Sequence, residues 1–192
     1  MSDELAKFGD AVDATVTRNA GGAEMFGLHG VYTAECYDPQ GNLKWSDVIE
    51  NLTTNVGRKS LLDSYFANTG GGAVVMGLKG TGTAAYADTQ ASHATWLEVG
   101  NTNAPTYSGT RKTPAFSAAT TANPSVLSTS AAVVFSMTGS GTVAGAFINI
   151  GGSSTIDSTT GTLFSAGDFT AGSKTVTSGD TINVTYTLSA SG

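Results

Sequence analysis

Between residues 26 and 52 the chain alternates. Val31, Thr33, Glu35 and Tyr37 fall on one side of an extended segment and Tyr32, Ala34 and Cys36 on the other; after Asp38-Pro39-Gln40-Gly41-Asn42, residues 43–52 resume the extended pattern. Period-two patterning on both sides of a Pro- and Gly-containing turn predicts a β-hairpin. Beyond Thr53 the spacing changes. Val56, Leu61, Leu62, Tyr65 and Phe66 share one face only at helical periodicity, with Thr54 or Asn55 placed to cap the first turn. A short helix over residues 56–67 is expected, with Leu62 and Phe66 directed to the core and Gly70-Gly71-Gly72 as its stop.

The remainder reads as strands and turns. Residues 73–78 form a short apolar run, and residues 80–105 are turn-rich, with Trp96 expected to anchor a loop to the core. Further candidate strands span residues 126–137, 143–150, 162–164, 174–176 and 181–188. In the last, Ile182, Val184, Tyr186 and Leu188 face one way and threonines the other. Frequent Gly- and Ser-rich turns between short strands predict a mainly β fold, an antiparallel β-sandwich or jelly-roll-like domain with one short α-helix. The expected core includes Trp45, Leu62, Phe66, Trp96, Phe147, Val184 and Tyr186. No fixed-period repeat suggests a fibre shaft.

The β domain is expected over residues 26–192, preceded by an N-terminal arm, residues 1–25. Within the arm, Leu5, Phe8, Val12 and Val16 recur at spacings of three and four, which suits a short amphipathic helix that needs a partner surface. The arm has neither the basic start nor the apolar centre of a signal peptide, and no stretch of the chain reaches the ~20 apolar residues of a membrane span. No membrane association is therefore expected.

Composition changes the picture at the surface. Charged residues make up only 12% of the chain, half of the roughly 25% usual for globular proteins. After Lys112 the only charges are Asp157, Asp168, Lys174 and Asp180. Gly, Ser, Thr and Ala occupy the place of Lys and Glu, leaving an exterior with little self-repulsion and little side-chain entropy to lose on contact. A net charge of −6 opposes nucleic-acid binding, which requires clustered cations. The doublets Arg58-Lys59 and Arg111-Lys112 read as solvated pairs. The single cysteine, Cys36, reads as a buried free thiol.

Candidate chemistry is sparse. Asp88, Ser92 and His93 are close in sequence, but triad members must converge in space, so His93 reads as a loop residue with a hydrogen-bonding role. No paired cysteines, His-x-x-x-His or Asp-rich calcium loop is present. Asp157, Asp168 and Asp180 could meet at one end of a sandwich, although turn-capping aspartates are commoner. Gly80-Thr81-Gly82 lacks the helix and distal acid of a dinucleotide site. No catalytic residue, cofactor or metal is assigned.

Several segments together resemble a family of small virion structural proteins of tailed bacteriophages. They are residues 50–63, with Asn51-Leu52 leading into Leu61-Leu62-Asp63; residues 92–98 around His93 and Trp96; residues 110–116 around Arg111-Lys112; residues 144–147; residues 161–169; and the closing Gly179-Asp180-Thr181 turn and strand. The resemblance covers about residues 31–189. It implies a non-enzymatic component of the virion, made in the host cytoplasm. Such a protein would be a capsid decoration or cementing protein bound through its arm to the major capsid protein and self-associating, with a trimer favoured. The alternative it leaves open is a tail-associated adaptor, collar or fibre-attachment protein bound to a tail protein. A glycan-binding module or glycan-acting enzyme is a third class, because fold does not fix function.

Overall fold

The computed structural model describes residues 27–67 and 71–191, without the side chains of Tyr65 and Phe66. The expected arm, with Leu5, Phe8, Val12 and Val16, and the core assignment of Phe66 therefore lie outside the described residues.

The hairpin forms from β1 (Gly27–Tyr37) and β2 (Leu43–Thr53), paired antiparallel from Gly30↔Asn51 to Tyr37↔Leu43. Its turn is held by Asp38, whose Oδ1 accepts from the backbone N–H groups of Gln40 (2.9 Å) and Asn42 (2.8 Å). As the alternation predicts, Tyr32, Ala34 and Cys36 are buried. The helix α1 (Asn55–Phe66) follows, then β3 (Val74–Lys79), β4 (Glu98–Val99), β5 (Ser125–Ser128), β6 (Val133–Ser136), β7 (Gly141–Val143), β8 (Gly145–Ile150), β9 (Thr162–Asp168), β10 (Lys174–Val176) and β11 (Thr181–Ser191).

The protein is mainly β, with a large antiparallel sheet and one helix among the described residues. The main sheet runs β4-β3-β8-β9-β2-β1-β11-β5, with β6 also pairing β11, while β7 and β10 form a separate pair. The long strand β2 joins two halves of this sheet through only two register pairs to β9, Leu52↔Ala166 and Thr53↔Ser165. One half is β2, β1, β11, β5 and β6; the other is β9, β8, β3 and β4. Their facing side chains share one core: Tyr32, Ile49, Val184 and Tyr186 from the first meet Met76, Leu78, Ile148 and Phe164 from the second. A hydrogen bond of 2.7 Å between the hydroxyls of Tyr32 and Ser165 links the halves inside it. The arrangement is that of a β-sandwich-like domain.

The second half is covered on its other face as well. Trp96, Phe147, Leu163 and Ala166 form a smaller cluster there, so β8 is buried along nearly its whole length. The cover is the turn-rich segment, residues 80–112, in which Trp96 is 1% exposed. The result is two sheet layers and an outer layer of loops.

Phe147, Val184 and Tyr186 are also buried, and half-buried Trp45 packs edge-on against Phe169 with ring centroids 5.3 Å apart. Leu62 differs from expectation: it is 52% exposed. The cause is the helix–sheet contact. A Cβ on Gly57 would lie 2.2 Å from the Phe164 carbonyl oxygen, so only glycine allows α1 to approach β9 this closely. That contact turns Gly57 and Leu61 to the sheet and rotates Leu62 outward. The Thr54 cap fixes the same rotation: its backbone N–H donates to the Phe164 carbonyl (3.1 Å), and its Oγ1 accepts from Gly57 N–H (3.0 Å) and donates to the Leu163 carbonyl.

Two predicted strands are divided. Residues 126–137 become β5 and β6, which pair with the two ends of β11, and between them Ser130 N–H turns to the Ala115 carbonyl. Residues 143–150 split at Ala144, because β7 pairs with β10 while β8 pairs with β3 and β9. Gly145 makes that switch sterically feasible, since a Cβ there would lie 1.9 Å from the Gly167 carbonyl oxygen.

Candidate functional site

Several concavities open among the described residues, of which a polar cleft and an apolar groove carry the side chains of most chemical interest. The polar cleft, about 390 Å³, lies in the loop layer and is lined by Ser92, His93, Trp96, Glu98, Asn103 and Asp157 among others. It contains the side chains most suggestive of catalysis in the sequence. The His93 and Glu98 side chains, however, are engaged in holding the loops. His93 stacks on Trp96 with centroids 3.9 Å apart, and its Nδ1 donates to the Trp96 carbonyl at 2.9 Å. Asp88 Oδ2 accepts from Trp96 Nε1 (2.9 Å) and from Ala85 N–H (2.8 Å). Asp88, Ser92 and His93 thus form no proton-transfer chain: the acid and the imidazole both serve Trp96.

Glu98 is similarly occupied. Its carboxylate accepts two bonds from Arg111, from Nε at 2.9 Å and Nη2 at 2.6 Å, and one from Asp157 N–H at 2.9 Å. The guanidinium also donates to the Ser153 and Ser158 carbonyls. Both side chains are almost wholly buried. The expectation of a solvated Arg111-Lys112 doublet is therefore corrected for Arg111, which is 2% exposed. Glu98 and Arg111 pin the loop layer to the sheet.

The three aspartates do not share a site. Asp168 pairs with Lys79, Asp180 with Lys44, and Asp157 contributes its backbone N–H to Glu98. Among the described residues no group of three or more His, Cys, Asp or Glu side chains is placed to hold a metal ion, and no helix is long and apolar enough to cross a membrane.

The apolar concavity is a groove of about 360 Å³ between the start of β1, the end of β2 and α1. Leu28, Leu52, Leu61 and Leu62 line it, and Tyr86 closes one side, with Arg58 placed 5.4 Å from the Tyr86 ring centroid. Leu62 and Tyr86 are 52% and 57% exposed. The outward rotation of Leu62 created this surface; sequence periodicity, which placed Leu62 in the core, concealed it. The signal that reveals it is Gly57, a residue of low helix propensity at the position of closest approach. Other large apolar side chains are also exposed: Leu43 and Val48 on β2, Leu97 in the loop layer and Val134 on β6.

What the fold and surface define is a β-sandwich-like protein whose polar clusters are structural and whose groove is apolar. No family model, curated protein or solved structure matches the chain.

Proposed function

We propose that the protein is a non-enzymatic structural component of a tailed-bacteriophage particle, a decoration or cementing protein. It binds the outside of the head, takes the major capsid protein as its partner and associates with copies of itself as a trimer. The observation that carries this reading is the use made of the few charges. Lys79, Glu98, Arg111 and Asp180 are turned inward, and Asp168 and Lys174 are tied to Lys79 and Asp47. The exterior of the C-terminal half keeps almost no free charge, while large apolar side chains such as Leu97 (60%) and Val134 (48%) remain exposed. Such a face loses little hydration or side-chain entropy when a neighbour covers it.

Quantitative mass spectrometry of purified particles tests the reading through copy number. Decoration requires a count that rises in proportion to the major capsid protein, because each docking site repeats with the shell symmetry. A small count fixed by the single tail vertex rejects it.

A further inference from the structure

The groove beside α1 lacks an occupant among the described residues. Four leucines face one another there at the surface, and Leu62 is more than half exposed. Asn51, at the inner edge of the groove, is held by the hydrogen bond its Nδ2 donates to the Tyr186 hydroxyl at 2.8 Å. Arg58 stands at the rim, hydrogen-bonded to Asn55 and set over Tyr86, and makes no ion pair among the described residues. A fitting occupant therefore offers apolar side chains and negative charge.

Gly27, the first described residue, is itself part of the groove wall. The chain that precedes it thus enters the body at this place. Those 26 residues carry Leu5, Phe8, Val12 and Val16 at spacings of three and four, and five carboxylates against two cations. We infer that residues 1–26 are the occupant: the segment folds back on its own domain, covering Leu28, Leu52, Leu61 and Leu62 with its apolar side chains and setting its carboxylates near Arg58. The reach suffices, since the eleven residues from Val16 to Gly27 can span at most about 36 Å. A short tether also gives the segment an effective concentration in the millimolar range, which favours its own groove over that of another copy. In the free protein, the segment that serves as the attachment arm in the virion reading is kept covered. The inference concerns the purified chain and stands whether or not that reading holds.

Cross-linking of the full chain tests it. Leu62→Cys is combined in turn with Leu5→Cys, Phe8→Cys, Val12→Cys or Val16→Cys, and mild oxidation is followed by gel mobility and mass. The single native thiol, Cys36, is buried and leaves the background low. Val134→Cys serves as the control groove-distant site, because β6 pairs with the opposite end of β11 from the residues that face Gly27. At least one Leu62 pair is expected to close within the monomer about tenfold or more faster than its Val134 counterpart. Equal rates, or a cross-linked dimer in place of the monomer, overturn the inference. Trypsin supplies a readout that needs no cysteine. Cleavage after Lys7 and Arg18 should be at least several-fold faster in Leu62→Asp than in the parent chain, with unchanged thermal unfolding of the β domain. Unchanged cleavage also overturns it.

Discussion

Asp180 has a side chain with no solvent exposure, and three contacts hold one of its oxygens, Oδ2, while Oδ1 accepts no bond among the described residues. Lys44 Nζ lies 2.5 Å away, the Thr177 N–H donates at 2.7 Å, and the Cys36 thiol lies 3.9 Å away. Burial alone would raise its pKa, but the bonds from Lys44 and Thr177 more than offset that and hold the carboxyl below its usual range. Asp47, buried against Lys174 and Thr170, is depressed for the same balance of reasons. Because these carboxyls ionise more readily when folded, the native state binds fewer protons, and the stability they contribute is present above the unfolded value of about 3.9 and is lost as pH falls through the folded one. Urea midpoints should therefore be nearly level from neutral pH to about 5 and fall steeply below about 4. Asp180→Asn should lower stability by about 3 kcal/mol at neutral pH and flatten the acid limb; an acid limb as steep as that of the parent contradicts this account. Cys36, beside Asp180, has its thiol pushed up to about 11 by burial and then by the neighbouring negative charge. It should not react with Ellman's reagent in the native protein at pH 8 and should react fully once unfolded; rapid native reaction would show the site to be open. Strand alternation located Cys36 in the interior, but it could not show Lys44 beside Asp180, because 136 residues separate them and only the closed sheet brings them together.

At the scale of elements, the legible features were those with local causes. The hairpin turn follows from Asp38 and Gly41, the helix start from the Thr54 hydroxyl, and β11 from the alternation of Ile182, Val184 and Tyr186. What escaped had non-local causes. The rotation of α1 is set by contact of Gly57 with β9, and the division of residues 126–137 is set by where β11 offers free backbone. The loop layer escaped because Glu98 and Arg111 look like surface residues until Arg111 is placed over the Phe147 ring with Glu98 paired to it. That layer yields a clear expectation. Glu98→Gln leaves a buried guanidinium without its counter-charge and should cost about 3–5 kcal/mol, whereas Glu98→Leu combined with Arg111→Met should cost less than the two single changes together. Trp96→Ala removes the centre of the second cluster and should cost about 3–5 kcal/mol. Urea denaturation measures each, and additive losses for the pair would show that the two residues act independently.

At the scale of the whole molecule, the sheet gives little invitation to edge-to-edge pairing. Its terminal strands are β4, of two residues, and β5, of four, and short edges resist strand addition. Association is therefore expected through side-chain surfaces rather than through backbone pairing. With so few free charges, its strength should vary little between low and high salt; sedimentation in the two conditions should give the same trimer, and dissociation at high salt would indicate an ionic interface instead. This exterior is proposed to be covered by neighbours on a virus particle. Imaging the particle at subnanometre detail, with the gene intact and with it deleted, tests it most directly. Density of this β-sandwich-like shape is expected on the outer face of the shell, repeated with the capsid symmetry and missing from the deletion particles. Identical heads in the two preparations would contradict it.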